Sequence, residues 1–446
     1  MEAIEKAVIQ PSETTTDATS KKSGLAQENI TGTGINTPQN EKADSKSGRD
    51  LDELWSRHHA QWRDSAQVTS HWEQAGQTDP ELLSYETSGE FFETLANLDI
   101  TILVSREYEH LLLAITADKK TAKPQISFFN MPHPSGLAVD RQNGLVHVAS
   151  TRNPNQIFAL KPVNQSMSRM DATMTESLAG TLEESPLLPI RSNFLPGCMY
   201  MHDLAMVDGS LYANAVGHNA VIKLNLDAGD DRPAWERVWW PACIEQEDKK
   251  PVFEQNHIQL NSIAAGPSIE ESYFSASSTA IEELRPGHPD YPVDKRGVVF
   301  SGSTREPIAR GLTRPHSARL INGDVWVDNS GYGQLVHCKD GSFEVAAKLP
   351  GWTRGLSACK NVAFVGTSRI IPRFSQYAPG LDVNESVCGI HAVDLESGEI
   401  LGSITWQTGN QIFAIEWVEQ SFTRGFPFRL NRQEEEEKLL FYSYQI

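Results

Sequence analysis

Short runs of alternating apolar and polar residues follow one another along the chain from about residue 100. Examples are ITILVS, HLLLAIT, GLVHVAS, GVVFSG and NVAFVGTS, and the sequences RQNG, VDGS and KDGS lie between such runs. Alternation with a period of two is typical of strands, and Gly, Asn and Asp favour the tight turns that connect them. The pattern therefore predicts an all-β fold of many short strands, either a sandwich, a barrel or a propeller.

A degenerate unit that recurs six times favours the propeller. Each copy has a polar pair, an apolar strand, usually a turn, and often a second strand that ends in small or polar residues. The copies begin at Pro134, Met201, Leu260, Pro315, Thr353 and Asn410. Repetition of one such unit indicates a repeat architecture. We predict a six-bladed β-propeller over residues 99–446, closed by the alternating C-terminal sequence LLFYSYQI. Seven blades, or an eight-stranded barrel with long insertions, are the alternatives.

The residues before the propeller have a different composition. Residues 1–49 are rich in Ser, Thr, Asn and Gln and contain no aromatic residue, which predicts a disordered tail. Apolar residues then follow at helical spacing, at Leu51, Leu54, Trp55 and Trp62. A second short helix is predicted over residues 81–98. Residues 50–98 should thus form a helical lead-in to the propeller.

Composition and charge narrow the possible partners. The chain has 446 residues, of which 39% are hydrophobic, and a formal net charge of −19. The acidic balance argues against binding to the phosphate backbone of a nucleic acid, which needs Lys and Arg. No apolar run is long enough for a membrane span or a signal peptide, and the five cysteines form no CxxC pair. These features predict a cytoplasmic protein that binds a small molecule, a peptide or another protein.

The candidate site lies where the innermost strands begin. In a propeller, residues just before those strands converge on one face of the central channel although they are distant in sequence. The residues at these places are His133 or Ser135, His202 with Asp203, Asn261, His316, Arg354, and Asn410 or Gln411. We expect a ligand to be bound there by His202, Asp203, Asn261, His316, Arg354 and Gln411.

These residue types allow three kinds of chemistry. The imidazoles of His133, His202 and His316 would suit zinc or a similar divalent metal ion with one position open. Asp203 and Arg354 are the catalytic candidates, the first as a base and the second as a stabiliser of negative charge. Alternatively, the same side chains could hydrogen-bond neighbouring blades to each other around the channel. No local metal-binding motif such as HExxH is present.

Four blocks of the sequence carry a resemblance to a known family. They are RPHSARLINGDVWVDNSGYGQL, LPGWTRGLSACKNVAFVGTSRI, MHDLAMVDGSLYANAVG and QLNSIA. They resemble a bacterial family of conserved proteins of unknown function, predicted to form propellers. The resemblance covers most of the chain after about residue 98 and implies the fold but no activity. Gln259 stands where the family pattern has a histidine, which weakens a metal site on that blade. More distantly, the architecture is similar to the gluconolactonase, strictosidine-synthase and peptide-amidating-lyase propellers, which use a metal or polar cluster at the channel mouth.

The sequence thus favours a propeller that recognises a small molecule or peptide at the polar face of its channel. The first alternative is a metal-dependent hydrolase or lyase that uses the same face. The second is a protein-interaction scaffold that works through the rim or the N-terminal segment.

Overall fold

The computed structural model describes residues 53–57, 74–152, 154–165, 167–168, 184–227, 233–246, 248–429 and 444–445. The chain forms two units, residues 1–68 and residues 69–446. In the first unit, residues 53–57 are helical. The predicted disordered tail lies outside the described residues. The second unit contains six antiparallel sheets of four or five strands and one two-stranded sheet, with strands numbered here in chain order.

Each of the first three blades consists of four strands, given from the inside of the ring outward. Blade 1 contains β5 (Pro134–Asp140), β6 (Leu145–Ser150), β7 (Asn155–Pro162) and β9 (Leu187–Leu195). Blade 2 contains β10 (Met201–Val207), β11 (Ser210–Ala215), β12 (Ala220–Leu224) and β13 (Trp235–Trp239). Blade 3 contains β14 (Leu260–Ala264), β15 (Tyr273–Ala276), β16 (Gly297–Ser301) and β17 (Pro307–Leu312).

The other three blades complete the ring. Blade 4 contains β18 (Pro315–Ile321), β19 (Asp324–Asn329), β20 (Gln334–Lys339) and β21 (Ser342–Lys348). Blade 5 contains β22 (Trp352–Cys359), β23 (Val362–Ser368), β24 (Cys388–Asp394), β25 (Ile400–Trp406) and β1 (Glu86–Gly89). Blade 6 contains β26 (Ala414–Glu419), β2 (Ile100–Arg106), β3 (Leu111–Ala117), β4 (Pro124–Asn130) and β27 (Phe428–Arg429). Each inner strand packs against the inner strands of the two adjacent blades. The predicted six-bladed propeller is therefore confirmed.

The sixth blade joins the two ends of the propeller, but not through the segment that the sequence suggested. Its inner strand β26 pairs with β2 from Ile100↔Glu419 to Ser105↔Ala414. Of the C-terminal sequence LLFYSYQI, only β28 (Tyr444–Gln445) is described, and it pairs with the short strand β8 (Met167–Ser168). The prediction that this sequence closes the ring is wrong, since β26 already occupies the inner position of blade 6.

The predicted helical lead-in is only partly helical. An α-helix, called α1 here, runs over Phe91–Leu98 and buries Phe91, Phe92, Leu95 and Ala96. The helix ends at Leu98 because Asp99 adopts a left-handed conformation with φ of 58°. The segment before it, predicted to belong to the same helix, instead forms β1, which adds a fifth strand to blade 5. Short 3₁₀ helices occupy Pro80–Leu82, Val163–Gln165, Val216–His218, Ala242–Ile244, Ser330–Tyr332, Pro372–Tyr377 and Val383–Glu385.

Six side-chain hydrogen bonds connect successive blades around the ring. In each, a Ser or Asn side chain donates to a backbone carbonyl at or just before the start of the next inner strand. The pairs are Ser105–Ser135 (2.6 Å), Ser135–Met201 (2.9 Å), Asn214–Leu260 (2.6 Å), Asn261–Pro315 (2.8 Å), Ser330–Thr353 (2.6 Å) and Ser368–Ile412 (3.1 Å). These carbonyls face neighbouring blades rather than water, so each bond satisfies a buried acceptor. Part of the polar ring thus does hold the blades together, as the sequence allowed.

Candidate functional site

The inner strands share a local irregularity at the channel mouth. In five of the six blades, the pairing of the inner strand with its neighbour shifts register near its start. The shifts lie between Pro134 and Leu137, Met201 and Leu204, Leu260 and Ser262, His316 and Arg319, and Thr353 and Leu356. A β-bulge redirects side chains and is common beside functional sites. The bulges hold or adjoin Ser135, His202, Asp203, Asn261, His316 and Arg354, which are the residues that the sequence placed at the channel.

The residue directly before four of these strands has an unusual backbone. His133, Tyr200, Gln259 and Arg314 have φ angles of 45°, 57°, 47° and 53°. Non-glycine residues adopt this left-handed region only where the surroundings impose it, and such residues cluster at functional sites. The repeat therefore places one bulky side chain in the same strained position on four successive blades.

His202 and His316 form the centre of the site. Both are buried, and their ring centroids lie 6.5 Å apart in a stacked arrangement. Burial and the charge of Arg354 lower the pKa of both histidines well below the usual value. His316 Nδ1 lies 2.8 Å from the carbonyl oxygen of Arg314, to which it donates, so Nε2 is the nitrogen left to accept a hydrogen bond. Both histidines are thus neutral imidazoles near pH 7.

Arg354 lies beside this pair. Its guanidinium carbon is 3.3 Å from the centroid of the Phe413 ring, and the same ring lies 5.6 Å from the ring of His202. Burial lowers the pKa of Arg354 to about 10. Among the described residues, no carboxylate forms an ion pair with it. Arg354 therefore stays charged at neutral pH with only an aromatic face as its direct partner.

Arg314 approaches His316 from the other side. It is buried, donates to Gln259 Oε1 at 2.7 Å and to the Pro286 carbonyl at 2.8 Å, and lies 4.3 Å from the ring centroid of Tyr377. Burial lowers the pKa of Arg314 to about 10. Both oxygen acceptors are neutral, and no carboxylate within the described structure forms an ion pair with this arginine.

A third arginine lies next to His202. Arg152 donates to the Tyr200 hydroxyl at 2.8 Å, and the Tyr200 ring is 5.3 Å from that of His202. Arg152 differs from the other two because Glu107 lies 3.5 Å away as a partially compensating carboxylate. The ring of Trp352 lies 5.9 Å from that of His316. We call this group the channel-mouth cluster, and its members are Arg152, Tyr200, His202, Arg314, His316, Trp352, Arg354 and Phe413.

Asp203 is adjacent in sequence to His202, and its carboxylate has several hydrogen-bond partners. Its carboxylate accepts from the backbone N–H of Ile263 at 3.0 Å and of Leu204 at 3.1 Å, and Arg319 Nη1 lies 2.8 Å away. Arg319 also lies 3.4 Å from Glu416. Asp203 thus belongs to a buried ion-pair network inside the channel, and its oxygens are engaged rather than free to act as a base.

The remaining predicted residues are spread around the mouth. Asn261 forms one of the inter-blade bonds, and its side chain also interacts with the His202 imidazole. Gln411 is buried, and its Oε1 has no hydrogen-bond partner among the described residues. The ring of His133 packs against the ring of His110, with centroids 4.2 Å apart, rather than against the His202–His316 pair. The Nδ1 of His133 is likewise unpartnered.

The structure does not assemble the three-histidine metal centre. No group of three or more His, Cys, Asp or Glu side chains within the described residues is placed to hold a metal ion. His202 and His316 are neighbours, but both feel the positive charges of Arg354 and Arg314, which repel a cation. The donor set therefore fits a metal ion poorly.

Asp328, at the end of β19, is a buried carboxyl close to this site. It is 0% exposed, and the Ser317 side chain interacts with its carboxyl group. Burial raises the pKa of Asp328 well above the usual value, although Ser317, Arg319 and Arg354 oppose the shift. When folding raises the pKa of a carboxyl group, the folded protein loses stability as the pH rises from the unfolded-state pKa towards the folded-state pKa.

Asp328→Asn should consequently stabilise the protein at neutral pH. We expect a gain of about 1–3 kcal/mol in the free energy of unfolding, because a neutral amide of the same shape is cheaper to bury than a carboxylate. The gain should disappear in acid, where Asp328 holds its proton. Urea unfolding at neutral and at acidic pH measures this gain. The control is Asp324→Asn, because the Asp324 side chain is mostly exposed. Equal or lower stability of Asp328→Asn at neutral pH would contradict the assignment.

Sequence reasoning missed several members of the site, chiefly Arg314, Tyr200 and Arg152. Arg314 and Tyr200 do carry a recognisable signal, because each immediately precedes a predicted inner strand at the same position of the repeat as His133 and Gln259. Arg152 lies after β6, and only its contact with Tyr200 brings it into the site.

The fold and the channel-mouth cluster define a six-bladed β-propeller with a cationic, aromatic polar face at one end of its channel. The family described as "Domain of unknown function (DUF4915)" matches residues 89–424, and the chain belongs to this family. The predicted membership of a propeller family of unknown function is thus confirmed. No curated protein matches the chain. Among the described residues, no helix combines the length and apolar character needed to cross a membrane.

Several solved structures have a similar fold. A nidogen/laminin complex matches with 10% identity and a TM-score of 0.46, covering 71% of this chain and 98% of that chain. A streptogramin B lyase matches with 13% identity and a TM-score of 0.32, covering 60% of this chain and 67% of the lyase chain. A putative 6-phosphogluconolactonase from Bacteroides uniformis matches with 13% identity and a TM-score of 0.37, covering 68% and 80%. At these identities the likeness concerns the fold alone.

Proposed function

We propose that this protein is a ligand-binding propeller that recognises a small polar molecule or a peptide end at its channel-mouth cluster. The observation that carries the proposal is a concentration of unsatisfied polar groups on one face. His202 Nδ1 and Gln411 Oε1 are buried without a hydrogen-bond partner among the described residues, and His316 Nε2 is left to accept a hydrogen bond.

Such groups are unusual in a folded protein. Leaving one buried donor or acceptor unpaired costs about 1–3 kcal/mol, and natural structures contain few of them. Unpaired polar atoms at the channel mouth, beside bulges and left-handed residues, favour a site that is completed by a bound molecule. The aromatic rings of Tyr200, Trp352 and Phe413 supply apolar surface around the polar atoms, as is typical of small-molecule sites.

A ligand screen by thermal shift tests the proposal. The panel would contain amino acids, dipeptides, polyols, hydroxy acids and nucleosides, because a bound ligand raises Tm by stabilising only the folded state. Arg354→Met removes a central group of the site without breaking an ion pair. The matched control is Arg237→Met, since Arg237 also lies over aromatic rings, those of Trp235 and Phe253, on another part of the protein.

The expected result is a saturable rise in Tm for the wild type and Arg237→Met that is lost or strongly reduced in Arg354→Met. Compounds that stabilise all three proteins equally bind elsewhere. If every active compound behaved in that way, the channel mouth would not be the binding site.

The two alternative functions have less support. The metal-dependent hydrolase or lyase needs a donor set that the described residues do not bring together. The scaffold would use the rim or the N-terminal segment, and residues 1–52 lie outside the described part of the chain. Unsatisfied groups at the mouth favour binding of a small ligand over both.

A further inference from the structure

The charges at the channel mouth narrow the chemical class of ligand. This step rests on the proposed function, because it assumes that the channel-mouth cluster is the binding site. Three guanidinium groups, those of Arg152, Arg314 and Arg354, act electrostatically on His202. The carboxyl groups near them are Glu107, which pairs with Arg152, and Asp328, which is buried and prone to hold its proton. The cluster as a whole is therefore short of negative charge.

Arg319 provides an internal comparison. It is buried in the same channel but lies 2.8 Å from Asp203 and 3.4 Å from Glu416. Burial alone would lower the pKa of Arg319, yet the two carboxylates outweigh burial and raise it. Arg354 and Arg314 show the opposite, because burial lowers their pKa values to about 10 with no carboxylate in an ion pair. The protein thus pairs Arg319 with two carboxylates, whereas Arg314 and Arg354 form no ion pair among the described residues.

A buried, unpaired guanidinium is unfavourable unless something neutralises it. The planar donors of arginine match the two oxygens of a carboxylate or a phosphate, which explains why arginine is common where proteins recognise such groups. The exposure of the cluster supports an external partner. Arg354, Trp352 and Tyr200 are only partly buried, so a molecule in the channel mouth can reach them.

The unsatisfied acceptors add a second requirement. Gln411 presents a side-chain oxygen, and His316 presents Nε2 as an acceptor. An oxyanion cannot donate to them, whereas a hydroxyl group can. A ligand with both groups would satisfy the arginines and the acceptors together.

We infer that the channel-mouth cluster binds a small organic acid that also carries hydroxyl groups, with its anionic group held by Arg354 and its hydroxyl groups near His316 and Gln411. A phosphate could replace the carboxylate in the same chemistry, and the test below separates the two.

The test uses defined probes on the full chain. Malate and tartrate carry both features, succinate carries only the anionic groups, glycerol carries only hydroxyl groups, and succinamide is the neutral counterpart of succinate. Inorganic phosphate tests the other oxyanion. Calorimetric titration would measure each probe against the wild type, Arg354→Met, Arg354→Lys and the control Arg237→Met.

We expect malate or tartrate to bind more tightly than succinate, and succinamide and glycerol to bind about tenfold more weakly or not at all, since a charge-assisted hydrogen bond is lost. Arg354→Met should weaken hydroxy-acid binding about tenfold or more, whereas Arg354→Lys should retain part of it because the charge remains. Added salt should weaken binding in the wild type.

Three outcomes would overturn the inference. If succinamide or glycerol binds as tightly as malate and Arg354→Met abolishes that binding, the site is real but its ligand is neutral, so the proposed function survives alone. If phosphate binds more tightly than the hydroxy acids, the carboxylate assignment is wrong. If no oxyanion binds, the anionic class is rejected, and the broader panel of the thermal-shift screen decides the proposed function separately.

Discussion

A chain that ends at Phe413 is expected not to fold. This truncation removes β26, the inner strand of blade 6, together with its six residue pairs with β2. It also removes the buried side chains of Ile415, Val418, Phe426 and Phe428. Each such side chain contributes about 1.5–3 kcal/mol when buried, and a whole domain is stable by only about 5–15 kcal/mol. Near-ultraviolet circular dichroism and thermal unfolding should therefore show no cooperative transition.

A chain that ends at Arg429 is the matched control. It loses the C-terminal sequence LLFYSYQI but keeps β26 and β27. Among the described residues, the pairing it loses is that of β28 with β8, which involves two residues from each strand. We expect this shorter chain to unfold cooperatively with a Tm close to that of the full chain. Loss of the fold in this control, or its retention in the chain that ends at Phe413, would show that β26 does not close the ring.

The comparison of these two segments also shows how far the sequence predicts the fold. Alternation identified both β26 and LLFYSYQI as possible strands, because each has the period of a strand. Which of them closes the ring depends on pairing with β2, more than 300 positions away in the chain, and local periodicity contains no information on that pairing. The number of blades was predictable, since the repeat shows six copies of the inner strand.

The N-terminal strand β1 was missed for a related reason. The residues Glu86–Gly89 are all exposed and contain no apolar side chain. Their strand conformation comes from backbone pairing with β25 at the outer edge of blade 5. Sequence patterns detect a strand through the side chains it buries, so a strand that buries none is not recognised.

The candidate site was predictable in position but not in function. The repeat placed His202, Asp203, His316 and Arg354 at the channel, and the structure puts them there. Asp203 differs from the other three, because its carboxylate accepts hydrogen bonds from Arg319 and from two backbone N–H groups. Arg319 lies on the far side of a bulge, whose extra residue reverses the alternation of side chains. A bulge is not visible in the repeat, so the partner of Asp203 could not be inferred.

Arg319→Met should lower the free energy of unfolding by about 3–5 kcal/mol, because removing one partner leaves buried charges uncompensated. The Arg319 side chain is 14% exposed, and the side chains of Asp203 and Glu416 are 5% and 21% exposed. The three residues belong to β18, β10 and β26, so the network connects three alternate blades across the channel. Urea unfolding at neutral pH would measure the loss.

The pH dependence of this loss follows from the sign of the pKa change. Burial already raises the pKa of Glu416, and Arg319 opposes that shift. Without Arg319 the pKa of Glu416 should rise further. A raised carboxyl pKa removes stability as the pH increases. The loss in the free energy of unfolding caused by Arg319→Met should therefore be largest at neutral pH and smaller in acid. An equal deficit at both pH values would mean that lost packing, rather than uncompensated charge, destabilises the variant.

Two further variants separate charge from packing. In the triple variant Arg319→Met, Asp203→Asn, Glu416→Gln, no buried charge of the network remains, and we expect much of the stability to return, since neutral replacements of a buried ion network are often tolerated. Arg141→Met is the surface control, because Arg141 and Glu419 are 3.7 Å apart and about half exposed. It should cost less than about 1 kcal/mol. If the triple variant is no more stable than Arg319→Met, the ion pairs do not account for the effect, and Arg319 acts instead through the shape of its side chain between the three blades.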